Sequence, residues 1–191
     1  MVKKKAKTKE TYTIILPKIF GEKEIGVTFV SDPNLLIGRK IIINALEVSD
    51  NMNKYYLKIL FRINRVEGNK AFTEFYGTEC TQDYISRMVV RRVRRIDVIQ
   101  DVVTKDKVKL RIKSLCVVSR KAKSSVQKNI HKKIEEVIKR EIEGMNLDDF
   151  VRSLISDEIK MRIIAEVKKI YPVKNFEIRK IERLSVKEME Q

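Results

Sequence analysis

The chain has no tryptophan and only one histidine, two cysteines, three prolines and six glycines in 191 residues. Each scarcity closes a route. Without tryptophan an interfacial helix lacks its usual anchor, and no apolar run approaches the ~18 residues needed to cross a bilayer. The basic N-terminus is not followed by an apolar segment of signal type, so a soluble, cytoplasmic protein with no membrane partner is expected. All six glycines are isolated, which leaves no glycine loop to cradle a nucleotide phosphate. Cys80 and Cys116 stand far apart in apolar, strand-like surroundings and are expected to be buried free thiols. No His/Cys cluster has metal-ligand spacing, and no cofactor is expected.

The lone His131 falls on the polar side of a long helical stretch, with Glu135 one turn on. A His–Glu pair at that spacing is common on helix surfaces. A solvent or phosphate contact is therefore expected there, not a general base, which would need a nucleophile or orienting carboxylate. The acid pairs Asp148-Asp149 and Asp157-Glu158 open helices, where capping accounts for them. The chain is not expected to be an enzyme.

Positive charge is what the chain has in excess. Forty-two basic residues against twenty-six acidic ones give a net +16 and pI near 9.8. A compact fold under that self-repulsion implies an anionic partner, and with a membrane disfavoured, nucleic acid is preferred. The excess is uneven. Lys105–Arg140 holds thirteen Lys or Arg against three acids, whereas Glu141–Tyr171 holds five bases against seven acids. A basic footprint on one side and a protein-facing surface elsewhere would fit that asymmetry.

The pattern predicts an α+β fold: an antiparallel, barrel-like β core with one inserted helix, then a C-terminal helical region and a returning strand. Residues 1–10 read as a basic flexible arm, 11–119 as the β-rich core with a helix near 81–93, and 120–191 as the helical region with the final strand. Strands are expected at Thr11–Leu16, Ile25–Val30, Lys40–Val48, Tyr55–Val66 and Ala71–Tyr76, with Glu67-Gly68-Asn69-Lys70 as a hairpin turn. Thr81 is expected to cap a helix that yields to a strand near Arg95; Arg87, Arg91, Arg94 and Arg95 would share its outer face if the helix persisted that far. Ile96–Val103 and Val108–Val118 form a hairpin around Lys105-Asp106. Val126, Ile130, Ile134, Val137, Ile138 and Ile142 recur at helix spacing up to Gly144, a candidate C-cap. Two further helices open at Asn146 and at Ser156, and Phe176, Ile178 and Ile181 mark the last strand.

The candidate RNA-binding residues follow from where cations concentrate. They are Lys3, Lys4, Lys5, Lys7 and Lys9 in the arm, then Arg39, then Arg87, Arg91, Arg92, Arg94 and Arg95. Lys109, Arg111 and Lys113 alternate against Val108, Leu110 and Ile112, forming a row of cations on one strand face. Arg120, Lys121 and Lys123 lead into a helix bearing Lys128, Lys132 and Lys133. Lys and Arg at such spacing neutralise backbone phosphates and release counterions. Tyr55, Tyr56, Phe72, Phe75 and Tyr76 could form a stacking platform for bases, although core packing is the better explanation for most aromatics at strand spacing. Shape and backbone recognition of RNA is therefore expected.

The order of short motifs resembles one family. Ile25-Gly26-Val27-Thr28, Gly38-Arg39 with Glu47-Val48-Ser49, and Phe75-Tyr76-Gly77 leading to Thr81-Gln82-Asp83 come first. Met88-Val89-Val90-Arg91-Arg92, Leu154-Ile155-Ser156-Asp157-Glu158-Ile159, and Ile170-Tyr171-Pro172 with Ile178-Arg179-Lys180-Ile181 follow. In order and spacing they resemble the archaeal and eukaryotic small-subunit ribosomal protein family called S-one-e or S-three-a. Thr11-Tyr12 stands where an aromatic pair is typical, and Ser156 where proline is. Short terminal extensions are more like an archaeal member. The resemblance implies a ribosome-associated constituent on the platform near the messenger exit. Its partners would be small-subunit ribosomal RNA, neighbouring ribosomal proteins and, more weakly, messenger RNA. The rivals are an RNA-binding translation or assembly factor that cycles on and off, an RNA-modifying enzyme or nuclease, and a protein that binds an acidic partner.

Overall fold

The computed structural model describes residues 9–49, 54–119 and 122–184. Strand β1 (Glu10–Ile15) runs antiparallel to β2 (Glu24–Val30), and Pro17 begins a one-turn 3-10 helix between them. β3 (Lys40–Asn44), β4 (Leu57–Glu67) and β5 (Lys70–Cys80) form an antiparallel set. The β4–β5 turn is closed by Gly68 at φ 56°, a left-handed conformation that glycine adopts without strain. β6 (Val93–Val103) and β7 (Lys109–Ser119) form the predicted hairpin, and β8 (Val173–Arg183) returns to lie between β7 and β5.

β5 organises the sheet. Its first residues pair in parallel with β1, its whole length with β4, and Gly77–Glu79 with β8. A Cβ on Gly77 would lie 2.1 Å from the Ile181 carbonyl oxygen, so only glycine permits this approach of β5 and β8. Among the described residues, eight strands join one mixed sheet, and it is open: β2, β3 and β6 each have a single strand partner.

Among the described residues, five helices complete the α+β fold. They are α1 (Ala45–Val48), α2 (Gln82–Met88), α3 (Ser124–Glu143), α4 (Leu147–Ile155) and α5 (Glu158–Lys168). The buried stripe Ile130, Ile134, Val137, Ile138 and Ile142 seats α3 over β6 and against α5. One continuous core joins sheet residues such as Phe61, Leu110, Ile112 and Phe176 to Ile134, Phe150 and Ile163 of the helices. Each such side chain contributes roughly 1.5–3 kcal/mol by leaving water. A smaller cluster of Tyr12, Val30, Leu36, Ile63 and Ala71 lies beneath β1 and β2. Cys80 and Cys116 are buried free thiols, and burial pushes each up to about 12, which removes their reactivity.

Local chemistry moves several predicted boundaries. β3 stops at Asn44 and not Val48, because the Asn44 carboxamide accepts from the Leu46 N–H and starts α1. α2 stops at Met88, well short of Arg95: Arg92 takes a left-handed φ of 66° in a turn that cannot continue a helix. Thr81 makes no side-chain cap, and Gly144 ends α3 in right-handed geometry, φ −85°. Asn146 leaves its capping role to Asp106 of the β6–β7 turn, whose carboxylate accepts from the Leu147 N–H at 2.9 Å. The Asp157 side chain caps nothing; it receives the ammonium of Lys54, which is buried.

Candidate nucleic-acid interface

The apolar stripe of α3 determines where its polar stripe points. With Ile130 and Ile134 inward, Ser124, Gln127, Lys128, His131, Lys132 and Glu135 recur at helix spacing along another side. They face Arg95 and Ile96 of β6 across a groove of about 500 Å³. Arg91, Arg92 and Arg94 line a second depression of about 570 Å³ in the turn that begins β6. Two stretches far apart in sequence are thus brought to one region: the start of β6 and the first half of α3.

The groove is cationic but not uniformly so. The Arg95 guanidinium donates two hydrogen bonds to Asp97, both 2.8 Å, and these hold it firmly charged. His131 Nδ1 lies 3.4 Å from Glu135. Lys128 and Lys132 are exposed and have no carboxylate partner among the described residues. A mobile ammonium on a rigid helix is suited to a phosphate backbone, because contact displaces condensed counterions.

Other predicted cations lie elsewhere. Lys133, on the same helix, is 3.7 Å from Glu136 and 3.8 Å from Glu166 of α5, on the side away from the groove. Arg87 is exposed on α2, Lys123 at the start of α3, and Lys9 just before β1. Arg39 lies between β2 and β3 and donates to the Thr28 hydroxyl at 2.9 Å. Lys3, Lys4, Lys5, Lys7, Arg120 and Lys121 lie outside the described residues.

The alternating stripe of β7 has the predicted orientation: Leu110 and Ile112 are fully buried while Lys109 is exposed and Arg111 and Lys113 are half-buried. It is not an array of free cations. Arg111 forks onto Asp101 of β6 at 2.8 and 2.9 Å, and these hydrogen bonds hold the Asp101 carboxyl below the usual carboxylate range. Lys113 donates to Glu182 of β8 at 2.8 Å, and Lys180 reaches the same carboxylate at 2.9 Å. Burial alone would raise Glu182, but the two lysines outweigh it and hold its carboxyl low. Further along β8, Arg183 pairs with Glu74 of β5 at 3.0 Å.

Sequence reading missed two features: the cations set around the β5 aromatics already weighed for stacking, and a buried polar cluster. On the other face of the β3–β4–β5 set, Lys40 and Arg62 approach the Tyr76 ring at 4.4 and 6.0 Å, and Arg65 approaches Phe72 at 4.7 Å. The alternation of Lys58 and Arg62 in β4 carried that signal. The second is a buried polar cluster. Glu177 of β8 accepts from Tyr56 at 3.2 Å, Tyr84 at 3.3 Å and Lys160 at 2.6 Å. The Tyr56 and Tyr84 rings stack at 3.7 Å, and burial raises Tyr56 beyond the tyrosine range and Tyr84 to about 12. Of the aromatics weighed for stacking, Tyr56 and Phe75 are core, as packing predicted, and Tyr55 is exposed.

Among the described residues, no group of three or more His, Cys, Asp or Glu is placed to hold a metal ion. No helix among them is long and apolar enough to cross a membrane.

Comparison with known proteins is consistent along nearly the whole chain. A model of the Ribosomal S3Ae family matches residues 1–187. Three archaeal proteins named small ribosomal subunit protein eS1 align closely. That of Methanopyrus kandleri is 38% identical over 96% of this chain and 89% of its own length. The Methanothermobacter thermautotrophicus protein is 37% identical over 90% of this chain and 88% of its own. That of Sulfolobus acidocaldarius is 35% identical over 96% and 93%. The chain belongs to the Ribosomal S3Ae family.

Proposed function

We propose that this chain is a structural constituent of the small ribosomal subunit that binds ribosomal RNA through its basic surfaces and performs no catalysis. One observation carries the reading: β6 and α3 bring Arg95, Lys128, His131 and Lys132 to a single groove beside the Arg91-Arg92 turn. No single segment could build that footprint, and its chemistry suits a folded phosphate backbone. The names of the archaeal relatives support the ribosomal setting. The platform near the messenger exit, with neighbouring ribosomal proteins and messenger RNA as further partners, follows from the family resemblance. On that reading the protein acts in the cytoplasm on ribosomes.

Sucrose-gradient fractionation of native lysate at moderate and high salt tests this. One copy per small subunit, retained at high salt and released by ribonuclease, is expected. Free or substoichiometric protein would overturn the reading in favour of a cycling factor, and assembly that survives complete ribonuclease digestion would favour a protein partner.

A further inference from the structure

The sheet presents a second polyanion-compatible surface, separate from the groove and of different chemistry. On β5 the residues Phe72, Glu74 and Tyr76 alternate outward while Ala71, Thr73 and Phe75 are buried. Both aromatic rings are partly exposed, and each carries a cation: Lys40 and Arg62 at Tyr76, Arg65 at Phe72. Lys40 and Arg62 have no carboxylate partner among the described residues; Arg65 shares Glu67 at 3.4 Å. Glu74, the one acid between the rings, is neutralised by Arg183 of β8 at 3.0 Å. A β-bulge in the pairing with β4 falls at Tyr76, where the strand no longer matches β4 residue for residue.

We infer that this face binds unpaired, single-stranded RNA, with one base stacked on Tyr76, another on Phe72, and phosphates on Lys40, Arg62 and Arg65. Aromatic rings interleaved with cations on a sheet are what sequence-tolerant single-strand binding requires, because every base has a π-face and every nucleotide a phosphate. Ring spacing decides between single strand and duplex. Four residues along one strand separate the rings by about 13 Å. Stacked bases in a helix are about 3.4 Å apart and bury their faces against each other, so only splayed, unpaired bases reach both rings. The groove of α3 has no Phe, Tyr or Trp in its lining, and its cations suit backbone contacts.

The test uses the full chain with an unstructured ten-nucleotide RNA carrying 5-bromouridine, irradiated and mapped by mass spectrometry, alongside affinity measurements at fixed salt. Crosslinks to Tyr76 or Phe72 are expected. The Tyr76→Leu variant should lose about 5- to 150-fold in affinity, the range of one base–aromatic stack. Because Tyr76 is only partly exposed, a second variant, Lys40→Gln with Arg62→Gln, keeps the ring and should flatten the logarithmic salt slope by roughly 1.4, from ~0.7 per phosphate contact. Crosslinks confined to the β6–α3 peptides, full affinity in a normally folded Tyr76→Leu chain, or an unchanged slope would each overturn the inference. The assay needs no ribosome, so its failure is distinguishable from a negative gradient result.

Discussion

Glu177 offers the most direct test of how the helical region is fastened to the sheet. Its carboxylate is 7% exposed and accepts from Tyr56 of the loop before β4, Tyr84 of α2 and Lys160 of α5, so four segments meet at one side chain. In Glu177→Ala the ammonium of Lys160 loses its partner, and two hydroxyls lose their acceptor. Removing one member of a buried ion pair costs about 3–5 kcal/mol, and an unsatisfied buried hydroxyl adds about 1–3 kcal/mol. Lys160 is 19% exposed and can turn partly toward water, which holds the total to the ion-pair figure, ~3–5 kcal/mol. For a chain of this size that corresponds to a fall in Tm of roughly 6–20 °C. Glu177→Gln keeps an acceptor for one hydroxyl and should lose about half as much. The double variant Glu177→Leu with Lys160→Met removes the charge pair together and should recover part of the loss. Thermal unfolding followed by circular dichroism reads all three. A Glu177→Ala melting point within about 2 °C of the parent, less than the shift from 1 kcal/mol, would refute the reasoning.

Other outcomes follow from the same geometry. Replacing Lys128 and Lys132 with glutamine should flatten the salt dependence of RNA binding by a slope of roughly 1.4–1.8, at ~0.7–0.9 per contact. The same replacement of Lys109, Arg111 and Lys113 should change the slope less, because Asp101 and Glu182 already neutralise two of them; an equal change would contradict that pairing. Gly77→Ala forces β5 and β8 apart at the Ile181 carbonyl and should cost at least the about 1–3 kcal/mol of an overpacked site, seen as a lower urea midpoint. Asp106→Ala should destabilise by about 0.5–2 kcal/mol through the lost cap of α4, with hydrogen exchange rising first at Leu147. Alkali should unfold the protein by linkage. Tyr56, Tyr84, Cys80 and Cys116 all have raised folded values, so their contribution is complete below the ordinary values of 9.0 and 10.0 and is lost as pH rises toward 12. The tyrosinate absorbance of Tyr56 and Tyr84 should appear together with loss of structure; ionisation of all six tyrosines in a chain that stays folded would oppose this.

Periodic segments are legible in the sequence itself. The inward residues of β4 and β7, the stripe of α3 and the β6–β7 hairpin all follow from alternation or helix spacing, which the chain carries locally. Boundaries were less legible where one residue redirects the backbone. Asn44 turns a strand into a helical turn, and Arg92 takes a left-handed conformation that composition does not reveal. Alternation carried back from Leu57 would put Tyr55 inside and Tyr56 outside, but Tyr56 is buried and Tyr55 exposed: β4 begins only at Leu57, and before the strand there is no pleat to fix alternation. The groove was half legible. The cations of α3 and of the Arg91–Arg95 stretch stood out, but their meeting depends on α3 crossing β6.

The sequence by itself determined the α+β class, the buried cysteines, the sign of the surface and the family, because these depend on composition, local period and motif order. Tertiary structure alone decided which cations act together and which are neutralised. Arg111 and Lys113 look like the strongest phosphate ligands in the chain, yet β6 and β8 bring Asp101 and Glu182 beside them. Lys40 and Arg62 look unremarkable until strand pairing sets them against Tyr76. The reason is physical. A charge acts through its neighbours within a few ångströms, and in a sheet those neighbours come from strands that lie dozens of residues apart.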